Sequence, residues 1–336
     1  MRTVSLQYLR SCVAIGLLSL GALQFWGQAV PAPSAHNSLT GQGVALYMAR
    51  RYAEAKDTLL KAVAANPRDA EARAYLGQVY SDDGHDPDAA AAALEEAVRL
   101  EPQRSLYHQW LGSAYGDQAD KAGVFKGPGF AKKCRMEFEK AVALDPNDVE
   151  ARDSLMQFYS QAPGIVGGGM DKARAQAAAI TKLDPSRGFL AEASIAEREK
   201  DAEKAESFYR KALSAARDKG KAYGELGRFL LKTKRNDEAV ALFRQHVKDA
   251  PSDPAAHDDL ADALMAQGQA DEALAEYRRA LELDPYFSAP LLGMARACER
   301  LGQRKEAREA YRRFLELMPK GKDAEEARAR LQDLKA

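Results

Sequence analysis

The sequence predicts an all-α solenoid, a stack of about eight helix pairs completed by one further helix. Composition supports this prediction, because alanine is abundant and Asp, Glu, Lys and Arg make up 29% of the chain, a combination that favours helix over strand. The chain also repeats itself with a period close to 34 residues. A period of this length is typical of helical units that stack into an elongated array.

Each repeat is marked by a small residue and by a proline twelve positions later. The small residues are Ala55, Ala90, Cys134, Ala173, Ala205, Ala239, Ala273 and Ala307, and the last four steps of the series are 32, 34, 34 and 34. The corresponding later positions hold Pro67, Pro102, Pro146, Pro185, Arg217, Pro251, Pro285 and Pro319. Since proline cannot continue a helix, each one marks the end of a unit. The units are numbered one to eight below.

Within a unit, two predicted helices carry complementary side chains. The first helix has a small residue, such as Gly43 or Gly227, and the second has a leucine or an aromatic residue, such as Leu59 or Phe243. We expect the small residue to let two backbones approach and the large one to fill the remaining space. One pair alone cannot bury its apolar face, so neighbouring pairs must stack.

These units resemble the tetratricopeptide repeat family. The stretches GQVYSDDGHDPDAAAAALEEAVRLEP and ADALMAQGQADEALAEYRRALELDP carry the resemblance, which covers about residues 39–319. It implies antiparallel helix pairs in a right-handed superhelix with a concave groove. The stretch LDPNDVEARDSLMQFYSQAPGIVGGGMDKA is similar to a subgroup of exported bacterial members with enlarged turns in the third and fourth repeats. That subgroup implies a fold and a compartment but no reaction.

The first 29 residues have the composition of a signal peptide. Arg2 and Arg10 supply positive charge, and an apolar run extends from Cys12 to Leu23. Small residues precede the expected cleavage site after Ala29. We therefore expect a periplasmic or secreted protein, periplasmic in a Gram-negative bacterium, and an uncleaved membrane anchor is the alternative.

The remaining ends of the chain also have distinct compositions. Residues 30–38 are predicted to be a flexible lead, and residues 320–336 a polar capping helix that covers the end of the array. No other segment approaches the length that a membrane span needs, so the mature chain is expected to have none. Cys134 and Cys298 fall inside predicted helices and are expected to be buried thiols rather than a disulfide.

Two neighbouring units are longer than the others. The step between their small residues exceeds the usual 12 by ten in unit three and by five in unit four, which predicts enlarged turns near 116–133 and 161–172. Because the units are adjacent, we expect the two turns to lie side by side. They either bind a partner or only pack on each other. The candidate binding residues in them are Phe125, Lys126, Phe130, Ile165 and Val166.

The unit-four turn contains four glycines, in QAPGIVGGGMDKA. A phosphate-binding loop needs a preceding buried strand and a GK[ST] ending. Here Gly169 is followed by Met170, Asp171 and Lys172, and a carboxylate at a helix start repels an anion. We interpret the segment as a turn. An enzyme or nucleotide-binding protein that uses the Gly164–Gly169 loop is the alternative.

No other pattern indicates catalysis, a cofactor or a metal. The five histidines form no HExxH motif, and no serine lies in a GxSxG motif. Charge is balanced, with 49 basic and 49 acidic residues, so nucleic acid is not expected as a partner. The pair Asp258–Asp259 is predicted to lie on a solvated helix face, and His246 to be partly exposed and hydrated.

In the family that the chain resembles, the first helix of each pair lines the groove. By position, the resemblance assigns to the groove Gln78, Gln109, Ser113, Asp153, Gln157, Arg228, Asp262 and Arg296. The paired Lys and Asn with which some members grip a terminal carboxylate are absent. The sequence therefore predicts a non-catalytic scaffold or adaptor that binds a protein or peptide segment and no small-molecule substrate. A subunit of an envelope assembly or of a polysaccharide or protein export machine is the alternative function. Ordinary surface residues are the alternative explanation of the set.

Overall fold

The computed structural model describes residues 38–82 and 86–334, which form helices and turns without any strand. The helices are α1 Leu39–Met48, α2 Tyr52–Ala65, α3 Ala70–Asp82, α4 Pro87–Leu100, α5 Ser105–Leu144, α6 Val149–Gln161, α7 Met170–Leu183, α8 Pro185–Arg198, α9 Ala202–Ala215, α10 Gly220–Lys232, α11 Asn236–Asp249, α12 Pro254–Gln267, α13 Ala270–Leu283, α14 Ala289–Arg300, α15 Arg304–Leu317 and α16 Lys322–Asp333. The predicted signal peptide, residues 30–37 and His85 lie outside the described residues.

The helices pair in chain order, and the predicted fold class is confirmed. Units one, two and four to eight each contain two separate helices, from α1 and α2 to α14 and α15, whereas α5 supplies both helices of unit three. Each pair packs on the next through a nearly continuous series of apolar clusters. The last helix, α16, packs on α15 and buries Ala324 and Ala327.

The close approach within a pair is made by the small residues that the sequence singled out. A Cβ atom added to Gly227 would lie 1.9 Å from Cζ of Phe243, and one added to Gly43 would lie 2.6 Å from the Leu59 side chain. Gly112 faces a Phe ring of its own unit at a similar distance. The glycine and the large residue therefore form one interlocking contact, which recurs in units one, two, three and six.

The linkers between units use Asp and Pro to stop one helix and start the next. Asp184 ends α7 and caps α8, its carboxylate accepting a hydrogen bond from the Arg187 N–H, and Pro185 is the first residue of α8. Asp253 and Pro254 begin α12 in the same way. A side-chain acceptor satisfies an N–H of the first turn, and proline at the first position forgoes no helical hydrogen bond.

The extra residues of unit three are not a loop, contrary to the turn predicted over 116–133. They lengthen both helices, and the chain reverses at Gly123, whose φ of 66° and ψ of −164° are not helical. The two arms of α5 run antiparallel, since Ser105 Oγ donates to the Ala141 carbonyl at 3.0 Å. The inserted segment contains good helix formers on both sides of a glycine, so a helical hairpin satisfies more backbone groups than an open loop would.

The array curves until its first unit meets its far end. Arg50, in the turn between α1 and α2, places Nε 3.2 Å from Oδ2 of Asp284, in the linker between α13 and α14. Its guanidinium also lies 4.8 Å from the centre of the Phe287 ring. An ion pair and a cation–π contact therefore join units that are remote in sequence.

The glycine contact yields a test of the packing. Gly227→Ala is expected to lower the free energy of unfolding by about 1–3 kcal/mol, because the new methyl group overlaps the Phe243 ring. Urea unfolding followed by circular dichroism measures the change. Gly129→Ala is the matched control, since no atom lies within 4 Å of its added Cβ. Alanine there should be neutral or stabilising by up to about 1 kcal/mol. Equal destabilisation by both variants would contradict the interlocking contact.

Candidate functional site: the concave groove

The groove is formed by the first helices of the units. In the described part of the chain, α1 contacts α3, α3 contacts α5, and α6, α8, α10, α12 and α14 contact one another in succession. Among the described residues, no comparable contacts join the separate second helices of neighbouring units. On a curved stack the inner elements lie closer together than the outer ones. The first helices therefore line the concave side.

All eight residues predicted to line the groove lie on these first helices. Gln78 is on α3, Gln109 and Ser113 are on the first arm of α5, Asp153 and Gln157 on α6, Arg228 on α10, Asp262 on α12 and Arg296 on α14. Most are half-buried, and Ser113, Asp262 and Arg296 are exposed. The fold thus leaves a row of polar side chains accessible along one side of the array.

The middle of the groove contains a linked polar network. Gln157 donates to Oδ2 of Asp153 at 3.1 Å. The same oxygen lies 3.7 Å from Nη2 of Arg187 and 4.0 Å from Nζ of Lys221, so cations from two later units approach it. In the neighbouring unit, the Gln109 amide donates to the Ser154 hydroxyl at 3.2 Å. Charges in this region are therefore largely compensated within the protein.

The far part of the groove contains three neighbouring aspartates, and the burial of one of them differs from the prediction. Asp258 is only 7% exposed, not on a solvated face, because α10 and α14 flank the helix that carries it. Asp259 and Asp262 lie beside it on α12. Burial, together with the charges of these two neighbours, raises the pKa of Asp258 well above its usual range.

The other two carboxylates have different neighbours. Asp262 accepts a hydrogen bond of 2.5 Å from the Tyr277 hydroxyl. Asp259 lies next to Gly224 of α10, whose added Cβ would be 3.4 Å from its Oδ2. Burial raises the pKa of Asp259 to about 7, although the nearby Arg228 guanidinium opposes this shift. The periodic pattern of the sequence could not reveal this site, since Asp pairs on exposed helix faces have the same pattern.

Sequence comparison identifies the repeats. Profiles described as tetratricopeptide repeat match residues 40–105, 209–254 and 225–287, residues 264–331 and residues 186–219, together more than half of the chain. The chain belongs to the tetratricopeptide repeat family. No curated protein shows significant similarity to it.

Two solved structures are similar to this tetratricopeptide repeat protein at low identity. One is YrrB, a TPR protein with an unusual peptide-binding site, at 20% identity and a TM-score of 0.38 over 57% of this chain and 97% of YrrB. The other is the APC/C hetero-tetramer Cut9–Hcn1, at 13% identity and a TM-score of 0.44 over 88% of this chain and 55% of that chain. The match thus spans about half of the second structure's chain.

The glycine-rich segment of the fourth tetratricopeptide repeat forms a turn with local backbone hydrogen bonds. It forms a short 3-10 turn, Gly164–Val166, and Gly167 follows in the left-handed region at a φ of 98°. The N–H groups from Val166 to Gly169 all donate to carbonyls of residues 159–164. The Lys172 ammonium donates to the Gly167 carbonyl at 3.0 Å. Since these backbone donors are already used, the segment does not present the array of N–H groups that a phosphate loop needs.

The enlarged segments of repeats three and four contact each other. Val166 is buried against Ala119 and Ala131 of α5, with Phe130 packed on the same cluster. Phe125 is 96% exposed and Ile165 is 85% exposed, and Lys126 is also exposed. The five residues predicted as binding candidates thus divide into two that pack inward and three that face solvent.

The buried histidines serve the fold. His108 uses both ring nitrogens, at 2.6 Å from a Glu137 carboxylate oxygen and 3.0 Å from the Pro102 carbonyl. His246 is 2% exposed, not hydrated as predicted, because it takes a core position of the repeat. Its ring stacks on Tyr223 at 4.7 Å, and neither nitrogen has a hydrogen bond. Burial lowers the pKa of His246.

The remaining predictions concern the cysteines, metal binding and membrane spans. Cys134 and Cys298 are both buried thiols on separate helices, as predicted. Within residues 38–82 and 86–334, no group of His, Cys, Asp or Glu is arranged to hold a metal ion. Among the same residues, no helix has the length and apolar character needed to cross a bilayer.

The acidic end of the groove predicts a pH-dependent stability. An unfolded Asp loses its proton near pH 4, whereas Asp259 in the folded protein retains it to about pH 7. The folded state therefore loses stability relative to the unfolded state as pH rises through this interval. The melting temperature of Asp259→Asn should equal that of wild type near pH 4 and exceed it at pH 8 by at least about 2 °C, roughly the effect of 1 kcal/mol.

Thermal melts from pH 4 to pH 8 measure this difference. Asp271→Asn is the control, because Asp271 is an exposed aspartate on the second helix of the same repeat. A difference between Asp259→Asn and wild type that stays constant across the range would show that Asp259 titrates normally.

Proposed function

We propose that this tetratricopeptide repeat protein is a non-catalytic scaffold whose concave groove binds an extended or helical segment of another protein. One observation carries the proposal: successive first helices pack side by side and leave a continuous row of accessible amides and charges. Such a surface suits recognition through many small contacts rather than one enclosed pocket.

A second contact is proposed at the enlarged repeats. Phe125 and Ile165 are large apolar side chains that are almost fully exposed, and they belong to segments that pack on each other. Exposed apolar residues on neighbouring segments are typical of interaction surfaces. The Lys126 ammonium would add charge to the rim of this contact.

Capture from an envelope extract tests the groove. Gln157→Ala should weaken capture of the partner by about tenfold without lowering the melting temperature, because Gln157 lies on a first helix and bonds only within it. Gln245→Ala is the matched control: Gln245 bonds to Asp249 in the same i, i+4 manner but lies on a second helix. Crosslinking and mass spectrometry identify the partner, and its affinity is then measured with purified proteins. Equal binding by both variants and wild type would contradict a role for the groove.

We also propose that the protein is located outside the cytoplasm. This location is inferred from the positive residues, the apolar run and the small residues of positions 1–29. Cell fractionation followed by N-terminal sequencing should find a chain that begins at Val30. A chain that keeps Met1 in the membrane fraction would instead indicate an anchor, and a cytoplasmic chain would contradict export.

The nucleotide-binding alternative has its own test. If the Gly164–Gly169 segment bound nucleotide, ATP or GTP with Mg²⁺ would raise the melting temperature, and Gly167→Pro would abolish the shift. We expect no shift, because the N–H groups of this turn are bonded internally.

A further inference from the structure

Two aspartates at the same repeat position have opposite surroundings. Asp153 in repeat four and Asp258 in repeat seven lie at equivalent positions of a first helix. Each comes three residues before the packing position that a small residue fills in most repeats. Asp153 has the cations Arg187 and Lys221 within 4.0 Å. In the described part of the chain, Asp258 has neither a hydrogen bond nor an ion pair, although it is more than nine-tenths buried.

Two neighbouring aspartates add further acidic groups beside Asp258. Asp259 precedes Asp262 on the same helix, and neither has a cation within 4.0 Å among the described residues. The flanking arginines are engaged elsewhere: Arg228 pairs with Glu225 at 2.7 Å, and Arg296 pairs with Glu326 at 2.7 Å. Three carboxylates thus share one part of the groove without a compensating cation in contact.

One member of the cluster is fixed by a hydrogen bond, and another lies within electrostatic range of repeat one. The Tyr277 hydroxyl fixes the Asp262 carboxylate at 2.5 Å. The guanidinium of Arg50, which comes from repeat one across the groove, acts on Asp258 electrostatically but forms its ion pair with Asp284. A cation that enters this space would therefore meet preorganised acidic groups, and it would stabilise their ionised form in place of the proton that burial favours.

We propose that Asp258, Asp259 and Asp262 receive a lysine or arginine side chain of the docked segment. This inference rests on the proposed function. A side chain fits better than a metal ion, because the described residues contain no group of three ligands close enough to coordinate one. An ammonium or guanidinium carries several N–H donors and can bridge carboxylates that are one helical turn apart. The partner is thus a protein segment with a basic residue.

Fluorescence anisotropy with labelled peptides tests this site. The probes are a Ser-Arg repeat peptide, a Ser-Lys repeat peptide and a Ser-Glu repeat peptide of equal length. Wild type should bind the Arg or Lys peptide at least about tenfold more tightly than the Glu peptide. Asp258→Asn should weaken that binding by about tenfold or more.

Asp271→Asn is the control, since it makes the same change in net charge at an exposed position outside the groove. It should leave the affinity within about twofold of wild type. The melting temperature of Asp258→Asn should be no lower than that of wild type, because an amide of the same shape replaces a buried acid that has no hydrogen bond or ion pair among the described residues. Lost binding in a variant that is at least as stable as wild type excludes misfolding as the cause.

Three results would overturn the inference. They are unchanged binding by Asp258→Asn, an equal loss in Asp271→Asn, and failure of both basic peptides to bind wild type. The Gln157-dependent capture of a partner is measured separately. If capture holds while the basic peptides fail, the groove remains a binding surface and only the cation site is wrong. If both fail, the proposed function is wrong as well.

Discussion

The structure depends on one steric constraint, the contact of a small residue on the first helix with a large side chain on the second helix of most units. At Gly227 and Phe243 there is no room for a single additional carbon atom. This contact sets the distance between the two helices, and its repetition keeps the pairs nearly equivalent. Because each pair leaves an apolar face uncovered, the next pair must cover it. The stacking of the pairs follows from this local fit.

The groove that results is not uniform. Around Asp153, arginine and lysine from later repeats compensate the acidic charge. Around Asp258, the nearby arginines are paired with other carboxylates, and among the described residues the three aspartates have no cation in contact. Buried charge without compensation costs folding free energy. The fold accepts this cost around Asp258 and avoids it around Asp153. Such a difference is expected where stability is given up for recognition, as in the proposed binding site.

The two enlarged repeats accommodate their extra residues in different ways. In repeat three, ten extra residues extend both helices and the chain reverses at Gly123. In repeat four, a 3-10 turn and a left-handed glycine accommodate the extra residues between α6 and α7. The two segments then share a small apolar cluster around Val166. Their outer side chains, Phe125 and Ile165, are left free of that cluster and extend into solvent.

The sequence by itself determined the helix pairs and the partners of the close contacts. These features are local or periodic, so small residues, large residues and prolines at fixed spacings are enough to predict them. It also predicted which helices carry the groove residues. The sequence did not predict the chemical environment of those residues. Asp258 and Asp259 have the pattern of a solvated pair, and His246 that of a hydrated ring.

Only the tertiary structure decided that Asp258 and His246 are buried, that α5 is a hairpin and that Arg50 meets Asp284. These outcomes depend on how far the array curves and on which helices flank each residue. Curvature is the sum of small rotations between successive repeats. No short stretch of sequence encodes that sum, so contacts between remote repeats, and the charges they leave unpaired, appear only when the whole array is assembled.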